Sequence, residues 1–95
     1  MQIISGQEAQ KLVSEQAAQV VDVRSPLEYQ QGAIPGAVNV PLQIIEKCLD
    51  ILDKQRPVLV YCASGMRSEQ AKNVLNTLGF KAVYNVGSRE NYLRC

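Results

Sequence analysis

Residues 58–68 contain side chains that could carry out nucleophilic chemistry. An apolar run, predicted to be a strand, leads into Cys62, and Gly65 and Arg67 follow at the predicted start of a helix. The first N–H groups of a helix have no partners within it, and the aligned peptide dipoles place partial positive charge there. We therefore expect backbone N–H groups and Arg67 to stabilise a thiolate at Cys62 and to hold its pKa below the ordinary value of about 8.5.

The cysteine spacing and the absence of histidine limit this chemistry further. The chain has three cysteines at wide, irregular spacing, Cys48, Cys62 and Cys95, and it has no histidine. This pattern argues against a disulfide framework and against a zinc site, so we expect no metal and no cofactor. A Cys–His pair is impossible, so the surroundings of Cys62 must ionise it before it reacts. Cys48 lies on an apolar stripe and is expected to be buried.

Length and charge exclude several classes of function. The 95 residues suffice for one domain, covering residues 1–95, and the formal charge is +1, from 10 basic and 9 acidic residues. Because the basic residues are scattered, we expect neither nucleic acid nor an anionic membrane as a partner. No apolar run approaches the roughly 18 residues of a membrane span, and no signal peptide is recognisable. We expect a soluble, cytoplasmic monomer, or a periplasmic protein if a signal peptide has been removed.

Short apolar runs alternate with helical patterns along the chain. This alternation predicts an α/β fold with a mostly parallel sheet and helices on both faces. Ligands of such sheets bind beyond the carboxyl ends of the strands, where Asp22, Arg24 and Cys62 would meet. The predicted strands comprise residues 2–4, 19–23, 37–40, 58–61 and 82–84, and the predicted helices follow Ser5, Ser25, Pro41, the loop after Cys62, and Ser88.

Four segments of the chain carry a family resemblance. They are residues 21–29, 32–37, 62–68 and 86–92, and the resemblance covers essentially the whole chain. In this order and spacing they resemble a single-domain rhodanese, a sulfurtransferase that carries sulfur as a cysteine persulfide. The resemblance implies a rhodanese-like three-layer α/β/α fold with a five-stranded, mostly parallel sheet.

The resemblance also implies roles for the residues around Cys62. Cys62 would form the persulfide, and Arg67 would attract an anionic donor and lower the pKa of the thiol. Asp22 and Arg24 would connect the neighbouring strand end to the active loop. The loop would surround the transferred sulfur through its backbone N–H groups, and its predicted substrate-binding residues are Ala63, Ser64, Gly65, Met66 and Ser68.

Several of these residues also have simpler interpretations. Arg67 could merely pair with a nearby carboxylate such as Glu69, and Arg24 could form a surface ion pair with Glu28. Met66 could be a packing residue rather than a substrate contact. Cys95 is expected to be a free terminal thiol, and the alternative is a resolving thiol that accepts sulfur from Cys62.

The implied reaction moves sulfane sulfur from thiosulfate or a related donor to a thiol or cyanide. One alternative is a persulfide relay or partner-docking module that passes sulfur to a protein acceptor. Another is a phosphatase or arsenate reductase of related fold, in which the loop between cysteine and arginine is one residue longer. Here four residues separate Cys62 from Arg67, which favours a bound sulfur atom over a tetrahedral oxyanion.

Overall fold

A parallel sheet of four strands lies at the centre of the computed structural model, which describes residues 1–94. The strands are β1 (Gln19–Asp22), β2 (Val38–Asn39), β3 (Val58–Cys62) and β4 (Val83–Ser88). Their order is β2-β1-β3-β4, and each neighbouring pair is parallel. The carboxyl ends of all four strands therefore lie at one edge of the sheet. Cys95, with its two predicted roles, lies outside the described residues.

The prediction of a fifth strand is wrong for the part of the chain that the structure describes. Ile3 forms one isolated parallel bridge with Asn85, and the N–H of Ile4 donates to the Asn85 carbonyl at 3.0 Å. Ser5 follows at once, and its side chain accepts a hydrogen bond from the N–H of Glu8 in the first helix. The chain turns into the helix at this N-cap, so strand pairing stops after a single bridge.

Helices begin at the serines that the sequence indicates. Ser5, Ser25 and Ser88 are N-caps, and each side chain accepts a hydrogen bond from the backbone N–H three residues further on. Gly79 adopts a φ of 101° just beyond the third helix, as expected for a residue that ends it. None of the helices within residues 1–94 has the length and apolar character needed to cross a membrane. The α-helices are α1 (Gly6–Gln16), α2 (Pro26–Gln30), α3 (Met66–Thr77) and α4 (Arg89–Leu93).

The helix predicted for residues 42–52 is a 3₁₀ helix, Leu42–Asp50, with a non-helical residue at Ile44. Its N-cap is Pro41, which makes no side-chain capping bond, and a connector without a cap favours short 3₁₀ turns over a long α-helix. Of the predicted apolar face, Ile45 and Leu52 are nevertheless buried, whereas Leu49 is 47% exposed. Cys48 is inaccessible to solvent, as expected.

The strand alternation places helices on both faces of the sheet. Along β3, Val58, Val60 and Cys62 face a layer formed by the 3₁₀ helix and α3. Leu59 and Tyr61 point the other way, into a core shared with residues of α1, α2 and α4. This arrangement confirms the predicted three-layer α/β/α architecture. Cys62 is the last residue of β3, so it lies where the sheet, the α3 layer and the carboxyl edge meet.

Tyr61 connects the two central strands at this edge. Its buried hydroxyl donates to Asp22 Oδ2 at 2.7 Å and accepts a hydrogen bond from the Ile34 N–H at 3.1 Å. Burial raises the pKa of Tyr61 to about 12, so the hydroxyl keeps its proton and remains a donor. The residue before Cys62 thus holds β1 and the turn around Ile34 in place.

We predict that Tyr61→Phe lowers the free energy of unfolding by about 1–3 kcal/mol, because Asp22 and the Ile34 N–H each lose a partner in a buried setting. Urea unfolding at neutral pH measures the difference. Tyr84→Phe is the matched control, since the Tyr84 hydroxyl has no hydrogen-bond partner among residues 1–94. Equal destabilisation by both substitutions would contradict this account of Tyr61.

Candidate active site

The sulfur of Cys62 lies beneath the loop that joins β3 to α3. The N–H of Gly65 donates to Sγ at 3.0 Å, and Ser68 Oγ lies 3.5 Å from Sγ. Cys62 is only 1% exposed, whereas Ala63 and Ser64 on the outside of the loop are exposed. The loop therefore turns its backbone N–H groups towards the sulfur and its small side chains towards solvent.

The pKa of Cys62 lies below its ordinary value although the side chain is buried. Burial by itself raises the pKa of a thiol, because the charged form loses its hydration. Hydrogen bonds from the Ser68 side chain and from the backbone N–H groups of Ser68, Gly65 and Ser64 outweigh that effect. These donors lie in the loop and the first turn of α3, which is the arrangement that the sequence predicts.

Gly65 has a backbone conformation that this loop requires. Its φ is 99°, in the left-handed region that other residues rarely adopt, and it is the N-cap of α3. A Cβ at this position would lie 3.3 Å from Ile3 Cδ1 and 3.4 Å from the Cα of Gly87. Both the turn towards Sγ and the close packing of the loop therefore favour glycine.

Asn85 is a site residue that the sequence analysis missed. Its side chain is fully buried on β4, accepts a hydrogen bond from Ser68 Oγ at 2.7 Å and donates to the Gly65 carbonyl at 3.0 Å. Asn85 thus holds both ends of the segment that contacts Sγ. A polar residue between Val83 and Val86 in an otherwise apolar strand was the signal in the sequence.

Arg67 forms a two-point ion pair with Glu28 of α2. Its two terminal nitrogens donate to the two carboxylate oxygens at 2.8 and 3.0 Å. The pKa of Glu28 falls to about 2, mainly because of Arg67, and Glu28 in turn raises the pKa of Arg67. The carboxylate proposed as a simple alternative, Glu69, instead accepts a hydrogen bond from Asn85. Glu28 is a second residue that the sequence analysis missed as part of the site.

Asp22 and Arg24 form a buried ion pair at the end of β1. Arg24 donates to both oxygens of Asp22 at 2.6–3.0 Å and to the Gly32 carbonyl at 2.8 Å. The guanidinium also lies 5.4 Å from the centre of the Tyr61 ring. Arg24 therefore pairs with Asp22 rather than with Glu28. The pair contacts the residue before Cys62 and makes no hydrogen bond to Cys62 itself among residues 1–94.

The arrangement is suited to chemistry at a single sulfur atom. Cys62 Sγ is the candidate nucleophile, and the donors around it are fixed by Gly65, Ser68 and Asn85. Met66 begins α3 with its side chain 61% exposed beside Arg67. Within residues 1–94, no group of three or more His, Cys, Asp or Glu side chains is placed to hold a metal ion.

Comparisons with known proteins identify relatives whose sequences match most of this chain. The family model of the rhodanese-like domain matches residues 5–94. PspE of Escherichia coli (strain K12), named a thiosulfate sulfurtransferase, is 41% identical over 69 residues, 70% of this chain and 66% of PspE. YrkF of Bacillus subtilis (strain 168), whose name describes a candidate sulfur carrier protein, is 39% identical over 77 residues, 81% of this chain and 42% of YrkF. The chain therefore spans less than two thirds of the length of either relative.

A solved structure has the same fold. The crystal structure of a rhodanese-like domain protein from Staphylococcus aureus gives a TM-score of 0.82 at 31% identity, covering 97% of this chain and 91% of that one. This likeness confirms the predicted fold class.

We predict that the alkylation rate of Cys62 rises with pH through a midpoint below the ordinary thiol value of about 8.5, because the thiolate reacts and its pKa is lowered. Ser68→Ala should move this midpoint to higher pH, since it removes one donor to the thiolate. Ser64→Ala is the control, because it removes an exposed hydroxyl and keeps the backbone N–H. Iodoacetamide labelling followed by peptide mass spectrometry separates Cys62 from the other cysteines. An ordinary midpoint for the wild type would contradict the prediction.

Proposed function

This chain belongs to the rhodanese-like family, and from that premise we propose that it is a sulfurtransferase that carries sulfane sulfur as a persulfide on Cys62. The observation that carries the proposal is the hydrogen bond of 3.0 Å from the Gly65 N–H to Cys62 Sγ, within a loop whose other donors also lower the pKa of the thiol. Relatives named as thiosulfate sulfurtransferases support the same reaction.

The first half of the proposed reaction loads sulfur onto the protein. The Cys62 thiolate attacks the outer sulfur of thiosulfate, the sulfur–sulfur bond of the donor breaks, and its electron pair leaves with sulfite. The products are the Cys62 persulfide anion and sulfite, so the total charge does not change. No proton has to leave Cys62 during the attack, and the absence of histidine is therefore accommodated.

The second half returns the cysteine to its starting state. A thiolate or cyanide attacks the outer sulfur of the persulfide and leaves Cys62 as a thiolate. With cyanide the product is thiocyanate. The small exposure of Cys62 keeps water away from the persulfide, and hydrogen bonds to an anion are stronger where water is excluded.

We assign the surrounding residues to three tasks. The backbone N–H groups of residues 63–68 stabilise negative charge on the sulfur, as an oxyanion hole does on oxygen, and Arg67 lies beside them in its pair with Glu28. Asp22 and Arg24 hold Tyr61 and thereby the end of β3. Residues that contact the sulfur donor would be Ala63, Ser64, Gly65, Met66 and Ser68 of the loop.

A relay to a protein acceptor is the second candidate function. Two large apolar side chains, Met66 and Leu27, are 61% and 65% exposed, and each is adjacent in sequence to one partner of the Arg67–Glu28 pair. Contiguous exposed apolar patches mark protein-interaction surfaces, and these two side chains would contribute to such a patch beside Cys62. Faster transfer to a protein thiol than to small thiols of equal concentration would favour this candidate.

We predict that incubation with thiosulfate adds one sulfur atom to the peptide containing Cys62, as detected by mass spectrometry. After the excess thiosulfate is removed, addition of cyanide should release thiocyanate in an amount equal to the bound sulfur. Cys62→Ser should abolish both signals, because the oxygen nucleophile cannot form a persulfide. Cys48→Ala is the matched control, since Cys48 is a free, fully buried thiol that belongs to the 3₁₀ helix and not to the loop.

The same preparation distinguishes the phosphatase and arsenate reductase alternatives. A wild-type protein that gains no sulfur but hydrolyses an aryl phosphate or reduces arsenate would overturn the proposed function. The loop of four residues between Cys62 and Arg67 favours the opposite result.

A further inference from the structure

The Arg67–Glu28 ion pair neutralises the cation nearest in sequence to the sulfur-binding loop. Both terminal nitrogens of Arg67 point at the carboxylate of Glu28, at 2.8 and 3.0 Å. The two side chains are about one third exposed, 36% for Arg67 and 34% for Glu28. The pair therefore lies at the surface, where an incoming anion would meet it, and presents no net charge there.

Glu28 is fixed in this position by its own helix. The N–H of Ser25 donates to Glu28 Oε1 at 3.1 Å, and the N–H of Glu28 donates to Ser25 Oγ at 3.2 Å, which completes a capping box. The carboxylate thus serves α2 and Arg67 together. Its hydrogen bond from Ser25 involves neither Cys62 nor the loop after it.

The second arginine at this edge is neutralised in the same way. Arg24 is paired with Asp22, whose carboxylate is fully buried and also accepts a hydrogen bond from Tyr61. The two arginines, Arg24 and Arg67, are each paired with a carboxylate, so the charges of the two pairs cancel. Apart from these pairs, the thiolate of Cys62 and the carboxylate of Glu69, which accepts a hydrogen bond from Asn85, add negative charge near the loop. Both repel a negatively charged donor in proportion to the charge of that donor.

We propose that Glu28 determines donor specificity by masking Arg67, that is, by neutralising its charge and occupying its hydrogen-bond donors. The site then favours sulfane donors with one negative charge or none over dianionic donors. The inference rests on the proposed sulfurtransferase function and names the substrate class for that same site. Alkyl persulfides and alkyl thiosulfonate anions belong to the favoured class. Thiosulfate, with two negative charges, belongs to the disfavoured class.

Thiosulfate and methanethiosulfonate form a matched pair of probes. In both, the thiolate of Cys62 attacks a terminal sulfur bonded to an oxidised sulfur atom. The bond between these two sulfurs breaks, and the electron pair leaves with sulfite from thiosulfate or with methanesulfinate from methanethiosulfonate. The two donors differ by one negative charge. The neutralisation of Arg67 by Glu28 should therefore affect how well the site uses one donor relative to the other.

Glu28→Gln tests the proposal. Glutamine can still accept the hydrogen bond from the Ser25 N–H, so the capping box is kept while the carboxylate charge is removed. We expect the ratio of kcat/KM for thiosulfate to kcat/KM for methanethiosulfonate to rise by roughly threefold to tenfold, mostly through a lower KM for thiosulfate. Circular dichroism and urea unfolding verify that the variant is folded.

Glu90→Gln is the matched control. Glu90 pairs with Arg89 through a single contact of 3.1 Å, so this substitution removes one carboxylate charge from another ion pair without touching Arg67. The donor ratio of Glu90→Gln should equal that of the wild type. An unchanged ratio in Glu28→Gln, or an equal rise in both variants, would overturn the proposal.

The wild-type protein provides a second test that needs no variant. Raising the salt concentration from about 20 mM to about 200 mM shortens the range of electrostatic attraction. Because Arg67 is masked, kcat/KM for thiosulfate should stay constant or rise. A steep fall would show an unmasked cation and would overturn the proposal. If neither donor loads sulfur onto Cys62, the proposed function itself fails, which is a different result from equal use of both donors.

Discussion

One ionisable sulfur atom, buried under a loop, imposes the main constraint on this structure. A buried anion without hydrogen-bond donors would take up a proton rather than remain charged. The donors therefore have to come from the chain around Cys62, which is 1% exposed. This requirement explains why Gly65 adopts a positive φ and why Ser68 lies in the first turn of α3. The parallel sheet contributes by ending β3 at the position where this loop and helix begin.

Two buried polar groups secure the strands on either side of the sulfur. Asp22 on β1 is bonded to Tyr61 and Arg24, and Asn85 on β4 is bonded to Ser68 and Gly65. Neither side chain is accessible to solvent. Within residues 1–94, no buried side-chain nitrogen or oxygen lacks a hydrogen-bond partner. Burial of such groups is costly unless they are paired, so these pairings fix the strand ends relative to the loop.

Local signals in the sequence predicted much of this fold, and long-range contacts account for what it did not predict. The serine caps, the apolar strands and the loop after Cys62 depend on neighbouring residues, and the structure has them where expected. The partner of Arg67 is Glu28, 39 residues away, and sequence proximity suggested Glu69 instead. Asn85 contacts the loop only because β4 lies beside β3. Likewise, the apolar spacing of Leu42–Asp50 identified a buried face without separating a 3₁₀ helix from an α-helix.

The hydroxyl of Ser68 has a single hydrogen atom and lies within reach of two acceptors. It donates to Asn85 Oδ1 at 2.7 Å, so the neutral Cys62 thiol can donate to Ser68 Oγ across the 3.5 Å that separate them. When the thiol loses its proton, a rotation of this hydroxyl aims its hydrogen at the sulfur. Asn85 Oδ1 keeps a partner during that rotation, because the Gly87 N–H donates to it at 2.9 Å. Ionisation and reprotonation of the buried sulfur thus require the rotation of one O–H bond and no displacement of a heavier atom.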